Sequence, residues 1–115
     1  MLAANYNITL DRGADYRFVL TIQNQAGTAV DLASTTFIAD VREVASKKEV
    51  LDLTPTVLGD VTNGQVLITI TKAQTKTLRA GSGIYEWDLF MDRSSLRTRL
   101  LYGSLTARAQ TTNDA

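Results

Sequence analysis

Glu86 and Asp88 are the residues of this 115-residue chain best spaced for acid–base chemistry. Alternate positions of a strand project from one face, which sets their carboxyls about 7 Å apart. A retaining glycosidase holds its pair at roughly 5–5.5 Å and an inverting one at roughly 6.5–9.5 Å, so the spacing allows glycoside hydrolysis. It is also what any half-solvated strand shows: Tyr85, Trp87, Leu89 and Met91 fall on one face and Glu86, Asp88 and Asp92 on the other, and the acids then simply face water. Asp11, Asp15 and Asp60 could offer oxygens to calcium from turns. The spaced-acid loop closing on a bidentate Glu is absent, and Asp in a turn ordinarily bonds nearby backbone. Arg93, Arg97 and Arg99, with Ser94, Ser95 and Thr98, form a local basic tip able to meet a phosphate or an acidic surface. No aromatic residue is interleaved there to stack bases, so an exposed hairpin loop is the simpler reading. Gly81-Ser82-Gly83 precedes a strand instead of opening a helix, so it does not form a phosphate cradle.

Absences narrow the chemistry further. With no histidine and no cysteine, Ser-His-Asp and Cys-His catalysis, thiolate zinc sites and disulfide frameworks are all excluded. No serine has a base or a Gly-x-Ser-x-Gly elbow to activate it. An enzyme here would have to run on carboxylates, Lys or Tyr alone. The expectation is therefore no enzyme: no catalytic residue, no cofactor-binding residue, no metal ligand and no cofactor. The 12 basic and 12 acidic side chains cancel and are interspersed, so neither nucleic acid nor a membrane surface is expected as a partner. Near neutrality also weakens repulsion between copies, which is compatible with dense assembly. The first residues lack the basic and apolar regions of a secretion signal, and no apolar run approaches membrane-spanning length.

The elements that must position these residues are strands. The chain is read as a single domain over residues 1–115, with residues 1–5 and 111–115 left as end segments free to flex or to bind a partner. Its centre is a hairpin, with strands at residues 83–91 and 99–108 joined by a turn at 92–98. Trp87 is on the inward face, and Gly103 stands where a bulky ring could approach the backbone. Earlier strands are expected at residues 4–10, 16–23, 36–44, 49–57 and 65–71. Turns are expected around Gly13, Gly27, residues 45–48 and Gly64. Pro55 cannot donate to a ladder and makes its strand an edge or breaks it. Thr71 and Gln74 are spaced as a capping box for one short helical turn over residues 72–78, with Gly81 as its stop. Seven or eight short strands about 10–15 residues apart, without crossover helices, predict an all-β antiparallel sandwich.

The order of these features resembles a family of small immunoglobulin-like domains in tailed-bacteriophage virions. It is similar to the N-terminal domain of siphophage upper baseplate proteins and to stand-alone cyanophage virion proteins. The matching blocks are Ile8-Thr-Leu-Asp-Arg-Gly-Ala-Asp15, Asn24-Gln-Ala-Gly-Thr-Ala-Val-Asp-Leu32 with Val41-Arg42, and Gly64-Gln-Val-Leu-Ile-Thr-Ile70. They continue with Lys72-Ala-Gln-Thr-Lys-Thr-Leu78, Gly83-Ile-Tyr-Glu-Trp-Asp-Leu89 and Leu100-Leu-Tyr-Gly-Ser-Leu-Thr106. Each block is common alone; their order and spacing carry the likeness. Ser34-Thr35 departs from the Gly-Tyr pair more usual in the family. The resemblance implies an immunoglobulin-like sandwich acting as a non-enzymatic, multi-copy adaptor of the tail, baseplate or fibre attachment. Its partners would be other virion proteins, and it would reside in a virion assembled in a bacterial cytoplasm. Capsid decoration is the close alternative, and a carbohydrate- or receptor-binding module a more distant one.

Overall fold

The structure is a computed structural model that describes residues 3–109. Its nine strands are β1 (Ala4–Asn5), β2 (Ile8–Asp11), β3 (Tyr16–Thr21), β4 (Thr35–Glu43), β5 (Glu49–Leu53), β6 (Thr56–Val57), β7 (Gln65–Ile70), β8 (Gly81–Arg93) and β9 (Leu96–Arg108). A 3₁₀ turn at Val61–Asn63 precedes β7, and the helix α1 (Lys72–Lys76) follows it. One sheet runs β1-β9-β8-β4-β5 with β2 also on β9; the other runs β3-β7-β6. The expected all-β, immunoglobulin-like sandwich is the fold. Its ladders are antiparallel except where β1 and β2 lie parallel to β9. After β2 the chain crosses to the other sheet, where β3 pairs with β7.

Alternation drives the layering. Val66, Ile68 and Ile70 of β7 face Ala39 and Val41 of β4 and Leu89 of β8 in the interior, all of them fully buried. Trp87 is 2% exposed. Its ring meets Phe18 and Tyr6 edge-on, at centroid distances of 5.9 and 6.2 Å, and its Nε1–H donates to the Tyr6 carbonyl oxygen at 2.8 Å. A buried indole thus leaves no polar atom unpaired. Tyr85 sends its hydroxyl back to accept from the Arg79 amide at 2.8 Å, the tyrosine-corner arrangement of immunoglobulin-like sandwiches.

Several elements differ from the sequence reading. Residues 4–10 form two strands, because the chain arches at Tyr6 and Asn7 over Gly103. Ala4 and Asn5, read as part of an end segment, are paired to Leu101 and Tyr102; residues 111–115 lie outside the described residues. Residues 49–57 split at Pro55 into β5 and β6, which belong to different sheets. Pro55 therefore marks the crossing between layers, where a missing N–H costs no ladder bond. The capping box of α1 is present in both directions, but the helix ends at Thr77, and Gly81 is already the first residue of β8. The loop at residues 92–98 contracts to a tight turn at Ser94 and Ser95, both at positive φ (51° and 63°).

Candidate functional site

The outward face of the larger sheet holds the carboxylate pair singled out above. Register places Asp40 opposite Asp88 and Arg42 opposite Glu86 across β4 and β8, and Asp88 opposite Tyr102 across β8 and β9. These side chains, with Lys47 and Arg99, line an open concavity of about 600 Å³.

Glu86 accepts from Lys47 Nζ at 2.9 Å, and Asp88 lies 3.9 Å from Arg99. Burial pushes the Asp88 carboxyl above the ordinary aspartate range. Arg99 pulls it down, Asp40 pushes it up, and Arg42 and Glu86 add smaller opposed effects. Glu49 is likewise held up, chiefly by a hydrogen bond with Asp40. The Arg99 guanidinium is 4.7 Å from the Tyr102 ring centre and covers it, and Arg42 pairs with Asp40 at 3.3 Å. The face is a lattice of alternating charges in which each candidate catalytic carboxylate already has a cationic neighbour.

The remaining candidates are dispersed. Asp11 pairs with Arg108 (2.8 and 3.2 Å). Asp15 accepts from the Lys72 amide at 2.6 Å, and Asp60 caps the 3₁₀ turn through Thr62. Asp60 therefore serves its own turn, Asp15 a backbone amide 57 residues away and Asp11 a single arginine, and the three do not converge. The basic tip is also altered: Arg97 is clamped to Asp92 by two bonds of 2.7 and 2.9 Å across the hairpin. Arg99 lies further down the sheet beside Asp88. Gly81 and Gly83 open β8 at positive φ, with a register shift before Tyr85, so that glycine pair shapes a bulge.

Sequence reasoning missed Asp40, Arg42 and Lys47 as neighbours of the carboxylate pair. Their outward alternation in β4 is readable, but nothing local says that β4 pairs with β8. It also missed Tyr6, whose carbonyl and ring both attend Trp87.

This fold defines a class, the immunoglobulin-like β-sandwich. No protein-family model matches the chain, and no curated protein matches it. Among solved structures it is similar to the extracellular domain of the voltage-gated sodium channel beta4 subunit, with a TM-score of 0.50 and 11% sequence identity, over 96% of each chain. That protein forms parallel homodimers that explain its role in cell–cell adhesion. At this identity the likeness is one of fold.

Proposed function

We propose that this chain is a non-enzymatic structural protein of a tailed-bacteriophage virion, a multi-copy adaptor of the tail, baseplate or fibre attachment that grips other virion proteins. The observation that carries the reading is the ordered series of sequence blocks from Ile8 to Thr106, laid out on an immunoglobulin-like sandwich. Two features support it. The carboxylates that could have formed a hydrolytic pair are each engaged with a cation. The aromatic residues that could have formed a sugar platform, Trp87 and Tyr85, are only 2% and 3% exposed, which weighs against a carbohydrate-binding module built on them. The working surface is then the outside of the block, and the partners are proteins, with neither nucleic acid, membrane nor cofactor required.

The test is to label the chain with a gold-tagged antibody on purified phage particles. Label at the tail or baseplate is expected. Label distributed over the head moves the chain to capsid decoration, and particles free of the chain contradict the reading. If Glu86→Gln and Asp88→Asn abolished a hydrolytic activity of the purified protein, the chain would be an enzyme after all.

A further inference from the structure

Four sheet edges are present among the described residues, and three carry devices that discourage another strand from adding. The β1/β2 edge is interrupted at Tyr6 and Asn7, β5 carries Glu49 and Asp52 and runs into Pro55, and β6 spans two residues just after that proline. The fourth edge, β3, is six continuous residues with no proline, no interruption and no inward charge, and its single charged side chain, Arg17, points to solvent.

Its ladder phase can be worked out. The Ile22 amide donates to the Gly64 carbonyl oxygen, and Ile22 with Gly64 continues the register that pairs Leu20 with Val66 and Phe18 with Ile68. Even-numbered residues of β3 therefore bond to β7. Arg17, Val19 and Thr21 turn their N–H and C=O groups to the free edge. The strand is also incompletely covered. Inward-facing Tyr16, Phe18 and Leu20 are only half-buried, whereas Val66, Ile68 and Ile70 beside them are fully enclosed. Outward-facing Val19 is 46% exposed.

We propose that β3 pairs edge to edge with β3 of a second copy of this chain, antiparallel about a two-fold axis through Val19. A row of alternating donors and acceptors at strand spacing is matched by another polypeptide backbone. This register sets Val19 against Val19 and Arg17 against Thr21, so every free backbone group on the strand is used. A shift of the axis by one residue leaves Arg17 or Thr21 unmatched within the strand. The same register brings Phe18 of one copy against Leu20 of the other, joining the two half-covered inner faces. It also brings Tyr16 of the second copy opposite Ile22, at the mouth of a cavity of about 330 Å³ whose walls are part apolar, from Leu20, Leu100 and Leu101, and part polar, from Thr21, Gln23 and Asn24. No like charges face each other, and the chain is neutral overall, so nothing repels the approach. The contact goes beyond the virion reading and stands without it.

The chain has no cysteine, so single cysteines report the register directly. Residues facing each other in a hydrogen-bonded pair have Cα atoms about 5.5 Å apart, within disulfide reach. Arg17 would be offset from its own copy by about 13 Å. Under mild oxidation Val19→Cys is expected to form a covalent dimer at least tenfold faster than Arg17→Cys. By sedimentation, the unmodified chain is expected to double its mass with rising concentration. Val19→Lys, a change at an exposed position, should stay monomeric with an unchanged circular-dichroism spectrum. Equal cross-linking of the two cysteine variants, a monomer at all concentrations, or a dimer that survives Val19→Lys with an unchanged spectrum would each overturn the pairing.

Discussion

Asp88 shows how one residue can be chemically suggestive and structurally burdened. Its carboxyl is raised first by burial and further by Asp40 across the ladder, against the pull of Arg99 and Arg42. A carboxyl whose folded-state value lies above its unfolded value ionises more reluctantly in the native protein. At neutral pH its charge therefore destabilises the fold, and the penalty is relieved as pH falls through the raised value. Asp88→Asn is expected to raise the melting temperature at pH 7, with the gain shrinking toward pH about 4, where an ordinary aspartate takes up its proton; melting curves across that range check it. Gly103 is constrained by space. A Cβ there would lie 2.3 Å from the Tyr6 carbonyl oxygen and 2.8 Å from Asn7 Oδ1, which itself accepts from the Ser104 amide. Gly103→Ala should cost roughly 1–3 kcal/mol in urea unfolding, because backbone must shift to admit the methyl. Gly103 was legible in sequence as a close-approach site facing Trp87, and the two are paired. What presses on it is the arch at Tyr6 and Asn7, which sequence could not reveal because it depends on a strand almost 100 residues away.

At the level of elements, the long hairpin organises the molecule. β8 and β9 are each 13 residues, and Trp87 at their centre ties the opposite sheet to the N-terminal arch. Trp87→Ala should cost about 3–5 kcal/mol, since it removes a large enclosed ring along with the hydrogen bond to Tyr6; little change in urea midpoint would mean that the interior is packed differently. The turn is less well matched to its conformation. Ser94 and Ser95 both sit in the left-handed region that Asn-Gly occupies more readily. Replacing them by Asn-Gly should therefore stabilise the hairpin by about 1 kcal/mol, measurable by thermal unfolding. The inward and outward faces of β3, β4, β7 and β8 were readable from alternation, and the capping box from Thr71 and Gln74. Less was visible where tertiary pairing decides. The tip shrank because the Asp92–Arg97 clamp extends the ladder through residues read as loop. The strand at 49–57 divided because Pro55 lets the chain change sheets.

The whole molecule is an elongated block of 45 × 29 × 22 Å, electrically neutral overall, with an apolar interior joining two sheets and ion pairs across the outer face of the larger one. It presents a concave charged face, a projecting hairpin end with Leu96 69% exposed, and one open edge, all suited to contact with other proteins. Sequence made the sandwich legible through short alternating strands without crossover helices. The concave charged face escaped it because that face exists only once β4, β8 and β9 lie side by side. The central claim, that the chain is a gripped structural block of a phage particle, is tested most directly by an electron cryomicroscopy map of intact virions at side-chain resolution. The account predicts repeated sandwich-shaped density in the tail or baseplate, with Trp87 enclosed and the outer surface in contact with neighbouring proteins. A particle without that density, or the chain found outside it with a substrate held at Glu86 and Asp88, would contradict it.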